Sequence, residues 1–218
     1  MTGITGKEKS ERRIAPAYLL AGVSCLLALA CCDSSAMGQR TAASRRNRTS
    51  QAATIEGLSP LAKNSLDAAV AALQSNALVE AERNARIAVG ASPRSAVTHN
   101  VLGVVLDRSG RSDKAFNEFT LAIKLDPNFV GARNNLGRML ADHGKVSDAI
   151  VEFERVLKID PSHVQAHYNL GALYSSAGDF NKAAEHFAMA RASAPGDPQL
   201  ALAFLNVAYR ANRISEAN

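Results

Sequence analysis

The sequence predicts an all-α protein built as a solenoid, a stack of helical hairpins. Three observations predict it. Proline recurs every 34 residues, at Pro93, Pro127, Pro161 and Pro195. Other residues keep the same spacing: Gly103, Gly137 and Gly171; Gly110, Gly144 and Gly178; Ala81, Ala115, Ala149, Ala183 and Ala217; Phe119, Phe153 and Phe187. Between successive prolines lie two apolar stretches of helical period, separated by a turn signal. A fixed period of this size marks an array in which each unit buries its apolar face only by stacking on its neighbours.

The chain opens with a segment of another kind. Four basic side chains within residues 1–13 precede an uncharged run from Ile14 to Cys32. A basic head before an apolar stretch is the pattern of a secretory signal, so residues 1–32 read as a signal peptide or N-terminal anchor. Leu27-Ala28-Leu29-Ala30-Cys31 resembles the bacterial lipobox, in which small residues precede a cysteine that becomes lipidated. The resemblance makes Cys31 the lipid-attachment residue, with Cys25 as second choice. The 19 uncharged residues would also span about 29 Å as a helix, enough for an uncleaved anchor. On either reading the basic flank stays in the cytoplasm and the repeats lie on the periplasmic or cell-envelope side. Residues 33–60 lack apolar periodicity and are rich in Ser, Thr, Ala and Arg. They read as a flexible basic linker.

Charge follows the same division. The net charge of +5 sits almost wholly before residue 62, where eight basic and four acidic residues give +4. The repeats are nearly neutral, which argues against a nucleic-acid surface. All three cysteines precede residue 33, so the repeats hold no disulfide, thiol nucleophile or cysteine metal site.

Placing each proline at position 32 gives units 62–95, 96–129, 130–163 and 164–197, with a fifth beginning at 198. In the second unit a helix A is expected from about Ala96 to Arg108 and a helix B from about Ser112 to Leu125. Gly110 suits the turn because it enters the left-handed region without steric cost. Asp126-Pro127 ends helix B, since proline lacks an N–H and disfavours helical geometry in the residue before it. Gly103 and Ala115 let the two axes approach, and Leu102, Leu106 and Phe119 fill the space around them. The third unit repeats this with Leu136, Gly137, Leu140, Ala149 and Phe153. The fourth does so with Leu170, Gly171, Tyr174, Ala183 and Phe187. The first unit is degenerate, with Asn76 at the turn and Ala69 in place of the helix A glycine. In the fifth, a helix A from about Gln199 to Arg210 is expected to cap the stack, and Ala211-Asn212-Arg213 aligns with the turn. Its residues Leu200, Leu202, Phe204, Leu205, Val207 and Tyr209 are apolar on more than one side, which marks residues 198–210 as an edge for self-association or docking.

Over residues 96–197 the pattern resembles the tetratricopeptide-repeat (TPR) family, and the layout of leader, linker and repeats resembles bacterial TPR lipoproteins. The resemblance implies a right-handed α-solenoid. It departs at position 4, where His99, Arg133 and His167 replace the family's aromatic residue. The resemblance also implies that helices A line a concave groove that binds an extended segment of a partner protein. Positions that match the family's groove are Asn100, Val104 and Arg108; Asn134, Asn135, Arg138 and Asp142; Gln165, Tyr168, Asn169 and Ala172; and Asn206. Asn135 and Asn169 share one place in adjacent units. Amides carry both donors and an acceptor, so such a row suits a peptide backbone read without regard to sequence. Arg138 has only Asp142 one turn away, so a clamp for a terminal carboxylate is not expected.

Nothing in the chain reads as catalytic, and no cofactor or metal is expected. Gly144-Lys145 lacks the surroundings of a phosphate loop. His163 and His167 are four apart without the glutamate of a zinc-protease helix, and they read as an ordinary surface pair. Glu152 and Glu154 read as a solvated face. The function expected is a non-enzymatic protein-interaction scaffold. The alternatives are a TPR segment that regulates or assembles a larger enzyme, and a self-associating module using the apolar edge around Phe204 and Tyr209.

Overall fold

A computed structural model describes residues 57–217. The chain divides into two units, residues 1–34 and 35–218, and the described residues all belong to the second. The leader, Cys31 and most of the linker lie outside them.

Nine helices make up the described region: α1 (Pro60–Gln74), α2 (Leu78–Ala91), α3 (Ala96–Arg108), α4 (Ser112–Leu125), α5 (Val130–Asp142), α6 (Val146–Ile159), α7 (Val164–Ser176), α8 (Phe180–Ser193) and α9 (Pro198–Ala217). Odd-numbered helices are helices A and even-numbered ones helices B. Each helix packs on the next in sequence, so every helix B lies between its own helix A and that of the following unit. Along the stack α1 touches α3, α3 touches α5 and α5 touches α7, whereas successive helices B make no comparable contact. Contact between helices A alone curves the stack with helices A on the inside.

The turns explain the period. Gly110, Gly144 and Gly178 have φ of 74°, 74° and 83°, where a side chain would be strained. The residue after each glycine donates its N–H five residues back: Arg111 to Leu106 at 2.9 Å, Lys145 to Leu140 at 2.8 Å and Asp179 to Tyr174 at 2.9 Å. This is the Schellman closure of a helix end. In the first unit Asn76 takes the same conformation at φ 58°, and Ala77 donates to Ala72 at 2.8 Å. Asparagine is the residue other than glycine best suited to that region.

The core is a column of glycine–phenylalanine contacts. A Cβ on Gly103 would lie 2.7 Å from the Phe119 ring, one on Gly137 2.8 Å from Phe153, and one on Gly171 3.0 Å from Phe187. Phe119 and Phe153 are wholly buried and Phe187 nearly so. The first unit solves the same contact with smaller partners. Ala69 takes the glycine place and Ala85 the phenylalanine place, and both are fully buried.

Both ends of the stack depart from the sequence expectation. At the start, Leu58 is buried and Ser59 caps α1, accepting from the Ala62 N–H at 3.2 Å and donating to the Ala91 carbonyl at 3.3 Å. The stack therefore begins before residue 62. At the far end, α9 continues through the expected turn to Ala217. Asn212 stands where glycine breaks the other helices A, and here it stays helical.

Candidate functional site

The inner face of helices A is held by amide bonds between units. Asn135 donates from Nδ2 to the Asn100 Oδ1 at 2.9 Å, and Asn169 donates from Nδ2 to the Asn134 Oδ1 at 3.4 Å. Gln165 donates from Nε2 to the Asn169 Oδ1 at 3.3 Å. The expected groove residues thus separate by depth. Asn100, Val104 and Asn134 are buried. Asn135, Arg138, Gln165, Tyr168 and Asn169 are partly exposed. The buried asparagines anchor the amides nearer the surface.

The cations of this face are already paired. Arg138 bonds Asp107 of the preceding unit and Asp142 of its own helix, the latter at 3.0 Å. The sequence reading found only Asp142, because Asp107 lies 31 residues away. Burial raises the Asp142 carboxyl above its ordinary value, opposed by Arg138. Arg108 reaches back to the first unit, donating to the Leu73 carbonyl at 2.8 Å and the Asn76 Oδ1 at 3.0 Å. Tyr168 sits edge-on to Phe187 with ring centroids 5.6 Å apart, and burial raises its phenol.

Position 4 is a clasp that the sequence reading passed over. His99, Arg133 and His167 each bond the carbonyl of the proline six residues earlier: Pro93 at 2.9 Å, Pro127 at 2.9 Å and Pro161 at 3.0 Å. Each also bonds the residue 19 positions later on helix B: Glu118 at 2.7 Å, Glu152 at 2.9 Å and His186 at 3.1 Å. One polar side chain thus ties both helices of a unit to the turn before it. The signal was present, since residues 118, 152 and 186 keep the 34-residue spacing.

The clasp corrects two readings. Glu152 is buried between Arg133 and Arg155 rather than on a solvated face. His163 and His167 are not a surface pair. His167 is buried in the clasp, while His163 caps α7 through Nδ1, accepting from the Ala166 N–H at 3.1 Å. Burial lowers the His163 imidazole. Among the described residues no group of three or more His, Cys, Asp or Glu is arranged to hold a metal. No helix among them is long and apolar enough to cross a membrane.

Stacked hairpins with a continuous inner face define a helical-repeat interaction module. Family models described as tetratricopeptide repeat match residues 100–162 and 140–207. The chain is a tetratricopeptide-repeat protein. Its fold is similar to PilF of Pseudomonas aeruginosa, with TM-score 0.65 and 21% identity, covering 70% of each chain. It is also similar to a MamA protein, with TM-score 0.59 and 20% identity over 72% of this chain and 86% of the other. MamA from Desulfovibrio magneticus RS-1 gives TM-score 0.56 and 19% identity over 73% and 96%. A search of curated proteins finds no match.

Proposed function

We propose that this protein is a non-enzymatic scaffold that lays an extended segment of a partner protein along the inner face of helices A. The amide row carries this reading. Asn135, Gln165 and Asn169 are held by bonds to Asn100, Asn134 and one another, so little ordering remains to oppose binding. Their remaining polar groups suit the N–H and C=O groups of an extended backbone. Arg138 is balanced by two carboxylates, so the ligand it favours is an uncharged stretch rather than an acidic one. Tyr168 offers a flat apolar surface beside the row.

The protein is also proposed to be exported and membrane-tethered, on the strength of the leader sequence, with Cys31 as the lipid-attachment residue. Intact mass of the membrane-extracted protein tests this. A chain lacking residues 1–30 and carrying a diacylglyceryl group, lost in Cys31→Ala, is the expected result. An uncleaved chain in both would remove the lipoprotein reading.

The groove is tested with the full chain against an array of random immobilised peptides. Asn135→Ala with Asn169→Ala is expected to weaken the bound peptides by roughly tenfold, the effect of two net hydrogen bonds. Peptides that bind the double variant as tightly as the parent would overturn the groove assignment. Because the cations are paired, binding is expected to change little between about 0.05 M and about 0.5 M salt.

A further inference from the structure

The helix α9 has two faces. Leu200 and Val207 are buried against the stack, and Phe204 packs there beneath the Arg191 guanidinium, 4.5 Å from its ring centroid. Of the expected edge, Phe204 is thus partly buried against the stack, whereas Tyr209 is exposed. The outward face consists of Leu202, Leu205 and Tyr209, which are 69%, 60% and 64% exposed.

In every other unit the outward side of helix A receives its own helix B. The seat there is glycine in three units, because the incoming residue is phenylalanine. In α9 the residue at that place is Leu205. A leucine there would occupy the space that a following phenylalanine needs, so α9 cannot receive a helix B in the manner of its predecessors. It presents a knob where the others present a hole.

The spacing of the knobs says what meets them. Leu202, Leu205 and Tyr209 are separated by three and then four residues, the seam of a two-stranded coiled coil. Ala201, Asn206 and Ala208 flank the seam, so its borders are small and uncharged. Arg210 turns toward the stack, 5.7 Å from the Phe180 ring centroid. From Ala201 to Ala208 the borders carry no charge, and Arg213 follows only beyond Tyr209, so the 202–209 stretch meets an identical stretch with no repulsion to overcome, the self-complementarity that a two-fold pairing requires.

We propose that the outer face of α9 pairs with the same face of a second copy of this chain. Three large side chains and the flanking alanines cover on the order of 400 Å² per copy, about half of a standard interface. The pairing is accordingly weak and concentration-dependent, and strengthened wherever the chain is confined.

Sedimentation of the full chain in detergent, over a range of protein concentration, tests the pairing against Leu202→Glu with Leu205→Glu. Both side chains are exposed, so the variant is expected to melt with the parent, which circular dichroism checks. The expected result is a parent that shifts from monomer to dimer as concentration rises and a variant that stays monomeric. A parent that remains monomeric throughout would overturn the proposal and leave the seam to a different chain. Equal association of parent and variant would also overturn it, by placing the contact elsewhere, such as in the leader.

Discussion

A single methyl group separates the repeat from strain. Gly137 lies against a wholly buried Phe153, and a Cβ there would approach the ring to 2.8 Å. Gly137→Ala is expected to destabilise by about 1–3 kcal/mol, the cost of overpacking. Phe153→Ala alone is expected to cost about 3–5 kcal/mol by leaving a cavity. Together they recreate the Ala69 and Ala85 pair of the first unit, so urea unfolding should give a double variant less destabilised than the summed singles. Glu82 allows a second test. Its carboxyl is pulled down from 4.5 to about 2, chiefly by the hydrogen bond from Arg111, against burial and with help from Arg86. A depressed carboxyl stabilises fully above its unfolded value, and that contribution is lost as pH falls. Glu82→Gln should therefore melt below the parent at neutral pH, and the gap should close between pH 4.5 and about 2.

At the scale of the helix pair, the clasp makes units that look alike respond differently to acid. In the fourth unit the His167 Nε2–H faces the Pro161 carbonyl, so its Nδ1 accepts from the His186 Nδ1–H. A proton on the His167 Nδ1 would set two donors against each other. Burial, then His167, lowers the His186 imidazole, with Glu185 and Glu154 opposing. Tyr174 stacks on the same ring at 5.5 Å, and Lys182 lies over the Tyr174 ring, 5.2 Å from its centroid. A depressed imidazole stabilises above its ordinary value of 6.5, and that support is lost as pH falls below it. Thermal melts at about pH 7.5 and about pH 5.5 should show the parent weakening. His186→Glu, which copies the His99 and Glu118 pair of the second unit, should weaken less. A variant with the same pH loss as the parent would mean that the α7–α8 contact does not depend on the clasp.

Across the whole stack, what was legible depended on whether a signal repeated. Helices α3 and α4 begin and end where the period, the turn glycine and the Asp-Pro step place them. The close approach at Gly103, Gly137 and Gly171 followed from the same ruler. What escaped were partners set by three-dimensional neighbours. Asp107 beside Arg138 and the amide bonds across units need the stacking geometry before the pairs exist. The clasp escaped for a different reason: its residues replace an aromatic, and that departure gains meaning only when set beside the recurring positions 118, 152 and 186, which are far away in sequence. The continuation of α9 through Asn212 was illegible because asparagine takes either conformation, as Asn76 and Asn212 demonstrate in one chain. With Leu205 filling the seat that a helix B would use, local helical preference decides.

The division of bonds between those inside a unit and those across units also bears on how such a chain can change length. The turn closure, the glycine–phenylalanine contact and the position-4 clasp are all complete within one unit and the turn before it. An in-frame duplication of residues 130–163 would carry all three with it. Its second Asn135 would meet the first copy's Asn134, so the amide row would continue unbroken. Among the ion pairs across units, the loss would be at the second Arg138, which would face Ala141 where the present residue finds Asp107. The array can thus be lengthened by copying from its middle, with a single ion pair left behind as the scar.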